Sequence, residues 1–206
     1  EGEKEIEAIA SSATKKLCDL NKEGKANTVW GHDYASGLTH SLRRGARWVT
    51  SNPCKIQLFK KDFPDYYQEL IAEIKRENAG ATPAVMAAQM FTKVCAISAR
   101  ALYPIFKATN KQYGFVCVQV DPRDIKDADA MIKQVEFWYD AMKKELGVEE
   151  PNVVFKLPAV EAALEAARIL LEKNYKLCMT MNITVPQHLR FAEILSKGKK
   201  NGYLVL

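Results

Sequence analysis

Short apolar segments alternate with longer amphipathic ones along this chain, and that alternation limits the folds that the chain can adopt. The short segments are typical of buried β-strands, and the longer ones have the apolar periodicity of helices. Strands that alternate with helices form right-handed βαβ units, which bring the strands together in a parallel sheet. Six strands are predicted, at residues 28–30, 47–50, 116–120, 153–157, 177–181 and 203–206.

Helices are predicted between these strands, and two of them have clear end signals. Pro83 stands in the first turn of one helix, where proline is favoured, and Gly147 follows the last periodic residue of another. We expect a single domain over residues 1–206, with residues 1–26 as an N-terminal helical extension. The predicted helices cover 1–20, 35–44, 66–77, 84–103, 127–146, 160–172 and 187–197.

Two architectures remain open for these strands and helices. The first is a (β/α)8 barrel, which usually needs about 250 residues, so that this chain would hold six of the eight strands and be incomplete at its C-terminus. The second is an open, doubly wound α/β sheet. No G-x-G-x-x-G motif follows any predicted strand, which weighs against a dinucleotide-binding form of that sheet.

One lysine interrupts the apolar strand predicted at 153–157. Burial of the Lys156 ammonium is costly, so we expect the side chain either to be paired or to shift toward the neutral amine. A neutral amine is a nucleophile, and Schiff-base formation with a carbonyl substrate requires one. The alternative is a lysine whose head group reaches the strand end or enters a buried ion pair.

Three motifs around this lysine resemble the transaldolase family. The segment N-V-V-F-K-L-P-A at 152–159 is similar to the family's N-V-x-x-K-[IL]-P-A, which carries its Schiff-base lysine. The segment G-F-V-C-V-Q-V-D-P-R at 114–123 is similar to G-x-V-S-x-E-V-D-P-R, and V-T-S-N-P at 49–53 is similar to T-S-N-P. The motifs follow the family's order, and the resemblance covers about residues 27–206, being poorest over 54–113.

The resemblance implies a (β/α)8 barrel that acts in sugar phosphate metabolism of the pentose phosphate type. Lys156 would form a Schiff base with a phosphorylated ketose, from which a three-carbon dihydroxyacetone unit is transferred or cleaved. The family's first-strand acid, which shuttles a proton, aligns with His32, and Asp33 takes its place if the alignment shifts by one residue. The family's third-strand glutamate aligns with Gln119, and the fructose-6-phosphate aldolase branch carries glutamine there.

The resemblance also implies residues that bind the substrate. Asn52 is the asparagine of T-S-N-P and is expected to hydrogen-bond substrate hydroxyls. The family's fifth-strand motif N-x-T falls without gaps on 178–180, whereas a literal match lies at 182–184. The expected substrate-binding residues are therefore Ser51, Asn52, Cys178, Thr180, Asn182 and Thr184.

The residues that differ from the family's pattern, Gln119 above all, leave two functions from different classes open. Glutamine cannot transfer a proton, so Gln119 leaves only the orientation of a water molecule at that position. A Schiff-base aldolase or transaldolase with altered proton transfer fits the sequence. A catalytically silent family member with a binding or structural role is the alternative.

The composition predicts the kind of partner. Apolar residues make up 48% of the chain and charged residues 27%, the ordinary balance of a globular domain. The net charge of +5 is spread along the chain, so we expect no nucleic-acid surface but an attraction for anionic small molecules such as sugar phosphates. The apolar runs are too short to span a bilayer, so no membrane association is expected.

The cysteines and histidines predict neither disulfides nor metal binding. The five cysteines are scattered and form no C-x-x-C pair, which indicates free thiols in a reducing compartment, the cytoplasm or a plastid. His32 and His40 lack metal-ligand spacing, so neither a metal nor another cofactor is expected. The aromatic run at 137–139 is interpreted as core or as a contact between copies of the chain, which leaves a homo-oligomer open.

Overall fold

The computed structural model describes residues 2–35, 37–198 and 203–204, and in these residues it contains nine α-helices and five β-strands. The helices are α1 Gly2–Ala10, α2 Ala13–Lys22, α3 Leu38–Arg43, α4 Ile56–Asp62, α5 Pro64–Glu77, α6 Pro83–Ala108, α7 Ala128–Leu146, α8 Glu161–Glu172 and α9 Val185–Ser196. The strands are β1 Trp48–Thr50, β2 Phe115–Gln119, β3 Val153–Pro158, β4 Leu177–Thr180 and β5 Tyr203–Leu204. No helix in these ranges is both long and apolar enough to cross a membrane.

The five strands form one parallel sheet in the order β1-β2-β3-β4-β5. The segment before β1 adds to its free side, because His32 pairs with Val49 in parallel. The His32 amide donates to the Trp48 carbonyl at 3.0 Å, and the Thr50 amide donates to the His32 carbonyl at 2.8 Å. Six successive segments of the chain therefore lie side by side in chain order.

This order decides between the two predicted architectures. A doubly wound sheet reverses its strand order at a switch point, whereas the strands of a (β/α)8 barrel pair in sequence. The sheet of this protein has no reversal within the described strands. The doubly wound alternative is therefore wrong, and the predicted α/β class with the strand order of a (β/α)8 barrel is confirmed.

The two faces of the sheet are chemically different, because successive side chains of a strand point to opposite sides. The outer face of β2 and β3 carries Val116, Val118, Phe155 and Leu157, which join the apolar side chains of the surrounding helices in the largest buried cluster. The inner face carries a separate, smaller cluster that includes Cys117, Val154 and Cys178. Polar inner-face residues follow this cluster toward the carboxyl ends of the strands.

Two motif residues support the opposite, amino ends of the strands. Gly114 has a φ of 86°, and a Cβ at this position would lie 2.4 Å from the Phe106 backbone nitrogen. Only glycine therefore lets α6 approach the start of β2 so closely. Asn152 is fully buried and donates to the carbonyls of Ala99, at 3.0 Å, and Gly114, at 2.6 Å.

Most predicted helices are present, but several begin or end at residues other than those predicted. The helix predicted at 1–20 is two helices, because the Ser12 hydroxyl accepts the Lys15 amide at 3.1 Å and caps a new helix there. Helix α6 continues past Pro104 to Ala108, and α4 was not predicted. Some residues of predicted elements, namely 1, 36, 205 and 206, lie outside the described residues.

The strand predicted at 28–30 is also displaced. These residues belong to no strand; the Trp30 carbonyl accepts the Arg47 amide at 3.0 Å, and the parallel bridge itself is made two residues later, at His32. The aromatic run on α7 is mixed: Trp138 is 5% exposed and stacks edge-on against Phe91, with ring centroids 5.7 Å apart, whereas Phe137 is 44% exposed. The core interpretation is confirmed for Trp138, and a contact between copies stays a prediction.

Candidate active site

A cavity of about 250 Å³ opens at the carboxyl ends of β2, β3 and β4. This is the end at which (β/α)8 barrels carry their active sites. A larger cavity of about 380 Å³ lies between α4, α5 and α6, but its lining is almost wholly apolar and offers no reactive group. The smaller cavity is lined by Asn52, Gln119, Val120, Pro122, Ile125, Lys156, Pro158, Val160, Thr180 and Met181.

Lys156 lies at the centre of the polar part of this lining. It is opposite Gln119 in the pairing of β2 with β3 and opposite Cys178 in the pairing of β3 with β4. Its side chain is on the inner face, and the residue is only 8% exposed. The Nζ atom donates to Asn52 Oδ1 at 3.4 Å, and Asn52 Nδ2 donates to Gln119 Oε1 at 2.7 Å. Three of the predicted residues thus form one hydrogen-bonded chain.

A second buried lysine shows how this protein accommodates a paired ammonium. Lys93 of α6 is 5% exposed and has carboxylate oxygens of Glu73, Glu145 and Glu77 at 2.8, 3.4 and 3.5 Å. Burial acts to lower the pKa of Lys93, but the hydrogen bond that Lys93 donates to Glu73 and the three negative charges outweigh it and raise that pKa. In contrast, no carboxylate of the described residues lies within ion-pair distance of Lys156. Its only hydrogen bond among them is to the neutral amide of Asn52.

His32 faces away from the cavity. It pairs with Val49, whose side chain belongs to the outer cluster, and its Nδ1 atom lies 2.8 Å from the Ser41 hydroxyl of α3. The Nε2 atom is buried without a hydrogen bond among the described residues. Burial lowers the pKa of His32, although the neighbouring Asp33 opposes that shift. These contacts direct the imidazole toward α3.

Asp33 is not among the residues that line the cavity, but it contacts the inner face of the sheet. Its carboxylate accepts a hydrogen bond from the hydroxyl of Thr50, whose pairing partner on β2 is the inner-face residue Cys117. Lys55 contributes an ion pair at 2.5 Å. Burial acts to raise the pKa of Asp33, but the hydrogen bonds from Lys55 and Thr50, with the charges of Lys55 and Lys156, outweigh it and lower that pKa. The hydrogen bonds and the two lysine charges thus favour the ionised form of the Asp33 carboxylate.

Asn52 and Ser51 follow β1 and point to opposite sides. The Ser51 hydroxyl donates to the Cys117 carbonyl at 2.9 Å and lies 3.3 Å from the Cys95 sulfur of α6. Ser51 is only 2% exposed, so it connects β1 to the next strand and to a helix, outside the lining of the cavity. Asn52, one residue later, lines the cavity.

The N-x-T motif has two possible positions in this chain, and only the ungapped one, at 178–180, places a residue in the lining of the cavity. Thr180, at the end of β4, lines it. Cys178 is fully buried beside Lys156 in the inner cluster. The hydrogen bond with the Cys178 thiol and burial raise the pKa of Cys117 well above its usual value. The floor of the site thus consists of thiols and apolar groups.

The literal match at 182–184 forms the turn into α9. Asn182 is buried, and its side chain donates to the Met179 carbonyl at 2.8 Å. The Thr184 hydroxyl accepts the Gln187 amide, and the Gln187 side chain accepts the Thr184 amide in return, a reciprocal helix cap. Neither Asn182 nor Thr184 lines the cavity.

Two contributors to the site were missed in the sequence. Thr50 could have been found, because alternation along a strand places residues 50 and 52 on the same face. Lys55 lies in the 3-10 turn Pro53–Lys55, where no periodicity indicates direction. Among the residues that the structure describes, no group of three or more His, Cys, Asp or Glu side chains could hold a metal ion.

Comparison with known proteins adds an independent observation. Residues 38–204 match the family model described as Transaldolase/Fructose-6-phosphate aldolase. A transaldolase of Neisseria gonorrhoeae is 25% identical over 168 residues, which are 78% of this chain and 43% of that protein. Transaldolases of Mycobacterium ulcerans and Mycobacterium leprae are 29% and 30% identical over 143 residues, which are 68% of this chain and 35% of each of those proteins. The chain spans less than half the length of these relatives.

Proposed function

The chain belongs to the transaldolase/fructose-6-phosphate aldolase family, and from that membership we propose that Lys156 forms a Schiff base with a phosphorylated ketose. The observation that carries the proposal is the environment of this lysine. Its ammonium is buried at the carboxyl end of β3 and contacts a neutral amide, whereas Lys93, the buried lysine of α6, is surrounded by carboxylates. An amine that attacks a carbonyl must be unprotonated, and an adjacent carboxylate would oppose loss of the proton.

The proposed reaction proceeds through an imine. The Lys156 nitrogen bonds to the ketose carbonyl carbon and gives one of its protons to the carbonyl oxygen, which takes a second proton from solvent and leaves as water, so that a protonated imine remains. A base then takes the proton of the hydroxyl on the far carbon of the bond to be broken, which is the β-carbon counted from the imine carbon. That bond breaks to release an aldehyde, and its electrons pass to the imine as an enamine. The enamine is either protonated, on the route to cleavage, or adds to a second aldehyde, on the route to transfer. Water then hydrolyses the resulting imine, which releases the product and restores the Lys156 amine.

Asp33 is the group that we assign to this proton transfer. Its hydrogen bond from Thr50 and its interaction with the charge of Lys156 support the assignment. The imidazole of His32 contacts Ser41 instead. A lowered pKa keeps the Asp33 carboxylate ionised and ready to accept a proton.

Asn52 and Gln119 are assigned to binding. Their amides are hydrogen-bonded to each other and can each offer a further donor or acceptor to substrate hydroxyls or to a water molecule. Neither side chain titrates, so we propose that cleavage and its reverse are favoured over transfer of the three-carbon unit. All five cysteines are free thiols, which supports a reducing compartment such as the cytoplasm or a plastid.

Reductive trapping tests the proposal. The protein is incubated with fructose 6-phosphate or dihydroxyacetone, reduced with borohydride, digested and mapped by mass spectrometry. We expect an adduct on Lys156 and none on Lys93, which serves as an internal control because it is equally buried but paired. Lys156→Arg should remove the adduct while circular dichroism shows an intact fold, because a guanidinium cannot become a neutral nucleophile.

A catalytically silent binding protein is the second candidate, and Gln119 favours it. A glutamine at this position removes one titratable group from the site. In that case sugar phosphates should bind and raise the melting temperature, but no adduct should form on Lys156.

A further inference from the structure

Lys55 contacts Asp33 at two points. Its Nζ atom lies 2.5 Å from Asp33 Oδ2 and also donates to the backbone carbonyl of the same residue. The other carboxylate oxygen, Oδ1, accepts the hydroxyl of Thr50. Both oxygens of the carboxylate are therefore held, each by a different donor, and the loop backbone is fixed by the same lysine.

Lys55 belongs to the same short segment that contacts the proposed nucleophile. The 3-10 turn Pro53–Lys55 follows Asn52, whose side chain accepts a hydrogen bond from Lys156. Residues 50–55 thus supply three contacts to Asp33, the proposed base, and one to the proposed nucleophile. A segment that contacts both groups can set the distance between them.

We propose that Lys55 is a positioning residue, which orients the Asp33 carboxylate for proton transfer at the substrate bound to Lys156. This inference rests on the proposed Schiff-base function. Lys55 needs no contact with the substrate in this role. An ionised carboxylate has about four lone-pair positions, so Asp33 can accept both contacts and still receive a substrate hydroxyl.

The charges around Asp33 support this role. The cations whose charges act on it are Lys55 and Lys156, whereas the imidazole of the neighbouring His32 is directed toward α3. Removal of Lys55 would leave the Thr50 hydroxyl as the hydrogen-bond donor to the carboxylate and would weaken the preference for its ionised form. The carboxylate could then rotate about its side-chain bonds, and misplacement by about 1 Å can reduce a rate by about 100-fold.

The pair is solvent-accessible, so the fold should survive its loss. The side chain of Asp33 is 69% exposed and that of Lys55 is 27% exposed. Ion pairs of this kind contribute little to stability. A change in activity after substitution can therefore be separated from unfolding.

The test compares Lys55→Met with Lys55→Arg and with Lys61→Met, which removes the same charge from an exposed position of α4. Three quantities are measured: the borohydride adduct on Lys156, kcat for cleavage of fructose 6-phosphate, and the titration of the Asp33 carboxyl by ¹³C NMR. For Lys55→Met we expect a retained adduct, a fall in kcat of about 10- to 100-fold, and a higher titration midpoint for Asp33. Lys55→Arg should recover most of the lost kcat, because arginine retains the charge.

Each alternative result is decisive. If Lys55→Met and Lys61→Met agree in kcat to within about twofold, or if the Asp33 midpoint does not move, the positioning role is wrong. If the unaltered protein forms no adduct, the Schiff-base function fails, and the positioning role fails with it. A retained adduct with unaffected turnover in Lys55→Met overturns the positioning role alone.

Discussion

Replacement of the two buried lysines by methionine should affect stability in opposite ways. Methionine has a similar length and no charge, so each substitution removes the ammonium and leaves most of the packing. Lys156→Met should abolish adduct formation and leave the free energy of unfolding unchanged or higher. Lys93→Met should lower the free energy of unfolding.

The expected change in the free energy of unfolding for Lys156→Met follows from the single hydrogen bond that Lys156 makes within the described part of the chain. The hydrogen bond to Asn52 is 3.4 Å long, and a typical hydrogen bond contributes about 1 kcal/mol net, so its loss should cost less than that. The substitution also removes the cost of holding an ammonium in a site that is 8% exposed, which is at least as large. The net change should lie between about zero and about 2 kcal/mol of stabilisation, since reactive groups are commonly retained at the expense of stability.

The expected change in the free energy of unfolding for Lys93→Met follows from the three carboxylates that lose their cation. Removal of one partner from a buried ion pair costs about 3–5 kcal/mol. The glutamates here are partly hydrated, with side chains 36%, 49% and 24% exposed for Glu73, Glu77 and Glu145. We therefore expect a smaller loss, about 2 kcal/mol, at neutral pH.

Urea unfolding followed by tryptophan fluorescence measures both changes. With a slope of about 2 kcal/mol per molar urea, the Lys93→Met midpoint should fall by about 1 M, and the Lys156→Met midpoint should stay or rise. Equal slopes for the three proteins would show that the denatured states are comparable. If Lys156→Met destabilises the protein as much as Lys93→Met does, Lys156 has a structural partner, and the reasoning that makes it the nucleophile is refuted.

Three further outcomes are expected. Asp33→Asn should lower kcat by about 100-fold or more while His32→Asn stays near the unaltered protein; the reverse result would return the acid's role to His32. Gln119→Glu should make turnover of fructose 6-phosphate depend more on added erythrose 4-phosphate. An unchanged dependence would show that Gln119 does not influence the choice between cleavage and transfer. Asn152→Ala should cost about 2–3 kcal/mol in urea unfolding, because two carbonyls buried beneath the sheet lose their donor; a loss below about 0.5 kcal/mol would mean that water replaces the amide.

The interior of the sheet was predictable because its pattern is strong. The run at 153–157 is apolar on both faces apart from one lysine, as a strand covered on both sides should be. Lys156 interrupts that run one residue before its predicted end, and the structure locates the lysine at the cavity. The α/β class followed from the alternation of strands and helices, whereas the strand order was implied by the resemblance to the transaldolase family.

The ends of the elements were less predictable, because single side-chain contacts decide them. The first sheet segment pairs through the single bridge at His32, so apolar periodicity could not determine which of His32 and Asp33 faces the cavity. The break between α1 and α2 depends on one hydroxyl, that of Ser12. The contact of Lys55 with Asp33 joins two irregular segments, and no periodic signal describes either.

The agreement between strand order and chain order has a consequence for how the protein is made. Each new strand adds beside the strand synthesised just before it, so the sheet can grow at one edge as the chain leaves the ribosome. Asn52 and Gln119 can meet as soon as β2 has docked on β1, whereas Lys156 arrives with β3. The amide pair therefore depends on a single strand pairing, whereas the placement of the reactive amine beside it depends on a second.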